Sequence, residues 1–135
     1  MIRRQAREKA LQILFQIDIN QGEPQDIIRE RFELDEVDAN HREFIAQIVT
    51  GTYENLNTID EKIKSILKGW DLDRIGKVER SVLRLAIYEL MYSDLAQSII
   101  INEAVELAKV FSTNKSAGFI NGILAKMVDK VDGNE

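Results

Sequence analysis

A chain of 135 residues with 44% hydrophobic and 30% charged side chains has the material for one folded domain and is too apolar for a disordered one. Its 18 Lys and Arg against 23 Asp and Glu leave a net charge of -5. The absence of Cys excludes disulfides, thiolate nucleophiles and sulfur-ligated metals, and a single His41 excludes two-His metal sites and most His-based catalysis.

Arg3 and Arg4 resemble the basic end of a signal peptide, but Gln12, Gln16 and Asp18 interrupt the apolar run that would have to follow. No later segment is long enough to span a membrane, so a cytoplasmic protein without membrane contact is expected, folded as a single domain over 1–135. Periodicity predicts a first helix from Arg3 to about Ile19, with Ala6, Ala10, Leu14 and Ile17 recurring at steps of three and four. Gly22 suits the chain past its end, and Pro24 suits the first turn of a second helix reaching about Phe32. Asp38 or Asn40 opens a third helix, which runs through Phe44, Ile45, Ile48 and Val49 to about Asn55. Thr58 is placed to cap a fourth, with Ile59, Ile63, Ile66 and Leu67 on one face and Gly69 as its breaker. Ile75 to about Tyr92 is the most apolar segment, and its apolar residues cover so much of the circumference that it belongs in the centre of a bundle. Ser98 or Asn102 opens a helix through Phe111, and Lys115 to Val128 completes the set. Only Ser98 to Ile101 reads locally as a strand, and a lone strand has no partner; the fold class is all-α.

Charge is distributed unevenly. Residues 1–9 hold Arg3, Arg4, Arg7 and Lys9 against Glu8, a charge of +3, which leaves -8 on the remainder. Arg3, Arg4 and Arg7 share one helix face at a helix start, where cations oppose the helix dipole. Phosphate binding explains that arrangement; a solvated terminal face is the plain alternative. Arg74, Lys77, Arg80 and Arg84 line one side of the central helix, and Arg84, inside the apolar stretch, calls for a carboxylate such as Glu103 or Glu106. Phe15 and Phe119 each continue an apolar stripe, so each is either core or an exposed ring on which a base stacks. The chain has no Gly-rich phosphate loop, no Ser-His-Asp set and no acidic metal loop. His41 reads as a surface or capping residue, and Glu103 with Glu106 as a salt-bridged helix face. An enzyme is not expected, and neither a cofactor nor a metal.

Three segments, in order and over nearly the whole chain, resemble the NusB family of transcription antitermination factors. The first is the arginine-rich helix Arg3 to Phe15. The second runs from Lys77 to Leu90, and the third from Ile101 to Lys109, followed by Phe119-Ile120-Asn121-Gly122-Ile123-Leu124. The resemblance implies about seven helices in two packed three-helix subdomains. It implies pairing with the ribosomal protein NusE, binding of boxA RNA and, with other Nus factors, modification of the elongating RNA polymerase, notably on ribosomal RNA operons. Arg3, Arg4 and Arg7 correspond to the family's RNA-binding segment; Lys9, Phe15, Arg84 and Phe119 are further RNA-binding candidates. Asp73, Glu79 and Arg80 are the candidates for the NusE contact, set against a reading in which Asp73 caps the helix and Glu79 pairs with Arg80 or Arg84. Gln5 stands where an additional Arg occurs in some relatives, Ala96 where many carry Pro, and Ser112 where Gly is common. The fold also serves as the RNA-binding domain of some ribosomal RNA cytosine methyltransferases, which need a nucleotide-binding domain and a nucleophilic Cys that are not found here. A monomer and a homodimer are both compatible with the resemblance. The alternative function is a helical protein–protein adaptor without direct RNA binding.

Overall fold

The computed structural model describes residues 1–68 and 71–132, with side chains as far as residue 128. Among the described residues there are seven α-helices, one short 3-10 turn and no strand, as the all-α reading requires. The chain divides into two compact units, Met1–Glu54 and Asn55–Glu135.

The first unit holds α1 (Arg3–Asn20), α2 (Pro24–Leu34) and α3 (Ala39–Glu54). Ala6, Ala10, Ile13, Leu14 and Ile17 fall on one stripe of α1 and are buried, as are Ile45, Ile48 and Val49 on α3. α1 packs most extensively on α3, and α2 touches both. Burial of a large aliphatic side chain contributes about 1.5–3 kcal/mol, so this seam is the main stabilising feature of the unit. The left-handed residue that closes α1 comes one position before the expected glycine. Gln21 takes the left-handed conformation (φ 54°, ψ 29°), and its N–H reaches the Ile17 carbonyl at 2.8 Å. Gly22 serves a different need, since a Cβ there would stand 3.2 Å from Cδ1 of Ile27. Pro24 is the first residue of α2, where its missing N–H costs nothing. Asp38 rather than Asn40 caps α3: its Oδ1 accepts the backbone N–H of His41 at 3.1 Å and lies 2.8 Å from the His41 ring Nδ1.

The second unit holds α4 (Leu56–Ile66), the 3-10 turn Leu72–Arg74, α5 (Lys77–Tyr92), α6 (Gln97–Phe111) and α7 (Asn114–Asp132). It therefore carries four α-helices rather than three, because α4 packs on α5 and α7. Ile59 and Ile63, one turn apart on α4, are both fully buried. α4 starts at Leu56, with Asn55 in the cap position instead of Thr58. Its expected breaker, Gly69, lies outside the described residues. α5 meets α4, α6 and α7, and Val82, Leu83, Leu85 and Ile87 are all at most 1% exposed, which accounts for its all-round apolar sequence. It begins two residues later than periodicity implied, because Ile75 is extended and buried and Gly76 takes the cap position. Ser98 to Ile101 is helical. Ile100, Ala104, Leu107 and Ala108 bury one helical face, and that gain outweighs the β preference of three consecutive isoleucines. Among the described residues no helix is long and apolar enough to cross a membrane.

The helix ends are open to test by substitution. Gln21→Gly removes a left-handed side chain and should stabilise the fold by about 0.5–1 kcal/mol, seen as a thermal midpoint higher by a few degrees; a lower midpoint would contradict the strain. The His41 ring bonded to Asp38, helped by the His41 N–H, holds the Asp38 carboxyl below its ordinary value. A carboxyl lowered by folding stabilises above its unfolded pKa, and that contribution is lost as the pH falls through the lowered value. Asp38→Asn keeps a capping oxygen but no charge. It should melt below the natural chain at neutral pH, and the gap should close as the pH falls below about 4. A gap of constant size down to about pH 2 would show that the charge plays no part.

Candidate nucleic-acid interface

The start of α1 carries positive charge where the helix dipole is also positive, and no acidic residue stands in its first turn. Its terminus is held another way: the Ile2 N–H donates to Oε1 of Gln5 at 2.8 Å. Gln5 therefore accepts one of the N–H groups at the helix start. Arg3 and Arg4 are exposed, whereas Arg7 is only 5% exposed. The three arginines share a face in sequence, but the third is turned inward by the packing of α1.

Phe44 of α3 organises this edge. The Arg3 guanidinium carbon lies 3.8 Å from the centroid of the Phe44 ring and that of Arg7 5.3 Å from it. Contacts of this kind contribute about 0.5–2 kcal/mol depending on exposure. They offset part of the repulsion between two cations on one turn of helix. Sequence reading placed Phe44 in the apolar stripe of α3 and gave no reason to join it to the arginines, because the pairing depends on how two helices meet.

Lys9 faces the other way. Its Nζ lies 3.0 Å from Oδ2 of Asp35, an oxygen shared with Nε of Arg31 at 3.2 Å, and Arg31 also donates to Oε1 of Gln12 at 2.9 Å. The Arg31–Asp35 contact is an ion pair without hydrogen-bond alignment. Lys9 thus ties α1 to the end of α2. Phe15 is half-buried two turns beyond Arg7 on α1.

In the second unit, Arg84 pairs with Asp60, a carboxylate that the sequence did not single out for it. Its Nε and Nη2 donate to the two oxygens of that carboxylate, each at 2.8 Å, and both side chains are largely buried. Asp60 sits on α4, whose buried face brings it against α5. Glu106 is 3.7 Å from Lys109, so that half of the pair of glutamates is a salt-bridged helix face. Phe119 on α7 is 38% exposed. Its ring lines a groove of about 640 Å³ with Gly118, Gly122 and Lys126 of α7 and with Ser65 to Lys68 at the end of α4. No atom lies within 4 Å of a Cβ built on either glycine, so the α7 backbone is open beside the ring.

Glu79 pairs with neither Arg80 nor Arg84. Its carboxylate accepts the hydroxyls of Ser112 and Ser116 at the α6–α7 junction, and a Cβ at Gly76 would collide with it. Burial pushes its pKa up, but the Ser112 and Ser116 hydroxyls and the backbone N–H of Glu79 itself together outweigh that and hold the group below its ordinary value. Asp73 does not cap α5. It lies in the 3-10 turn, highly exposed, with its Oδ1 3.5 Å from Nη1 of Arg80. Among the described residues no group of three or more His, Cys, Asp or Glu side chains is placed to hold a metal.

The sequence model of the NusB family matches residues 4–129. The transcription antitermination protein NusB of Desulforamulus reducens is 45% identical over 98% of this chain and 93% of its own length. Among solved structures, Thermotoga maritima NusB superposes with a TM-score of 0.88 at 35% identity, covering 94% of this chain and 90% of that one. A NusB crystallised with NusE and double-stranded RNA gives a TM-score of 0.85 at 27% identity, over 94% of this chain and 97% of that one. A helical fold, a basic first helix and near-complete coverage at this identity lead to one conclusion: the chain belongs to the NusB family of transcription antitermination proteins, which are not enzymes.

Proposed function

We propose that this antitermination factor binds boxA RNA together with NusE and, with other Nus factors, modifies elongating RNA polymerase in the cytoplasm, notably on ribosomal RNA operons. The observation that carries the reading is the edge of α1. On a chain of net charge -5, Arg3 and Arg4 are exposed at a helix terminus that has no acidic residue in its first turn. Phosphate is the ligand that such a terminus and two guanidinium groups favour together. The NusB crystallised with NusE and RNA supports the choice of partners.

The candidates divide by what they touch. Arg3 and Arg4 supply phosphate contacts, and Arg7 fixes the aromatic ring beneath the edge. Phe15 follows on the same helix, and Phe119, with open glycines at its sides, offers a second place for a base. Lys9 and Arg84 are occupied by Asp35 and Asp60, so their part is to hold the helices that carry the others. Glu79, kept ionised and in place by Ser112 and Ser116, and Asp73, with Arg80 behind it, give an anionic surface suited to a basic ribosomal protein.

Two or three arginines read phosphate and not sequence, so binding by the chain alone should be weak and salt-dependent. Replacing Arg3 and Arg4 by Ala should reduce affinity for single-stranded RNA and flatten its salt slope by about 0.7 for each phosphate no longer neutralised. Unchanged affinity and slope would favour the adaptor reading. NusE should raise boxA affinity more than tenfold, a coupling of about 1.4 kcal/mol. Calorimetry on Asp73→Lys and Glu79→Gln variants should show that gain reduced while the weak binding by the chain alone persists. Equal RNA affinity with and without NusE would rule out the cooperative mechanism.

A further inference from the structure

We infer that Phe44 and Arg3 form a stacking platform for an unpaired RNA base, with Phe44 as the positioning residue that turns a guanidinium into a flat, presented surface. The inference rests on the RNA-binding reading of the α1 edge and adds to it Phe44, the residue that positions Arg3 for a base.

A guanidinium placed edge-on to a ring keeps an N–H between its carbon and the ring. That would hold the carbon about 1 Å beyond the thickness of two stacked π layers. The Arg3 carbon is 3.8 Å from the centroid of Phe44, the separation of layers in contact, which is the distance expected of a guanidinium laid on the ring. Arg7, buried and 5.3 Å from the same centroid, helps to fix the ring from within the unit. Among the described residues no carboxylate pairs with Arg3 to turn it away from this position. Arg3 is exposed, so its second face is open to solvent.

A planar cation held in this way has two uses at once. Its open face has the geometry on which nucleobases stack, and its N–H groups point outward in the plane towards phosphate oxygens. A base in a duplex is already stacked on both sides and cannot settle there. The platform therefore selects single-stranded segments, through a contact that charge alone does not supply.

The test measures binding of the full-length chain to a labelled single-stranded oligoribonucleotide, and to the same strand with abasic sites throughout, over a range of salt. Phe44→Leu and Arg3→Lys should each weaken binding to the base-containing strand about tenfold, within the range measured for base–aromatic stacking, with the salt slope unchanged because every charge is kept. On the abasic strand, where only the phosphate contacts of Arg3 remain, each variant should lose less affinity than on the base-containing strand, and an equal loss on both strands would overturn the platform. Arg3→Gln should lower the slope by about 0.7 on both strands. If both charge-conserving variants bind the base-containing strand as the natural chain does, the platform is wrong while RNA binding stands. If the natural chain shows no salt-dependent binding to either strand, RNA binding and the platform fall together. Arg3→Lys alters an exposed residue, so it decides the matter even if Phe44→Leu loosens the fold.

Discussion

Everything at the start of α1 depends on how that helix divides its circumference. Ala6, Ala10, Ile13, Leu14 and Ile17 must leave water, and their stripe fixes the rotation of α1 against its neighbours in the first unit. Two of these residues are alanines with no exposed surface, and small side chains at a helix contact permit the shorter interaxial distances. Against α3 packed in this way, Phe44 reaches the first turn and Arg7 is carried inward, while Arg3 and Arg4 stay at the rim. The apolar seam thus decides which arginines a ligand meets. A cationic first turn opposes the helix dipole, and the structure tolerates it through the Gln5 cap and the Phe44 ring.

The remaining charges follow a different logic. Lys9, Arg31, Arg80 and Arg84 each face a carboxylate within the unit that holds them. The Arg84–Asp60 fork is the most enclosed of these pairs, and burying it gives little net stability, because desolvation offsets most of the attraction. Its effect is geometric: two parallel bonds at 2.8 Å allow one relation of α4 to α5. Glu79 is set in place by neutral hydroxyls instead of a cation, which keeps its charge uncompensated.

The all-α architecture was legible from the 3.6-residue periodicity and from the scarcity of Gly and Pro, and helix ends came within a few residues. The departures have local causes. Gln21 took the left-handed position that Gly22 seemed made for, and three isoleucines joined a helix because Ile100 and Ala104 needed one buried face. The arginine cluster was visible as a charge segregation, and the family resemblance gave it a meaning. What could not be read was partnership across helices. Nothing in the sequence joins Arg84 to Asp60, Glu79 to Ser112, or Arg3 to Phe44, since those pairs lie 24, 33 and 41 positions apart and arise only from packing.

The central claim is that RNA meets this chain at the rim of the α1–α3 seam. Nuclear magnetic resonance addresses it directly, by following the arginine side-chain N–H signals and the phenylalanine ring signals while a boxA-like strand is added. The account predicts that Arg3, Arg4 and Phe44 shift together in one saturable process, while the Arg84 signal, fixed on Asp60, stays where it was. Shifts that spare Arg3, Arg4 and Phe44 and appear elsewhere would contradict it.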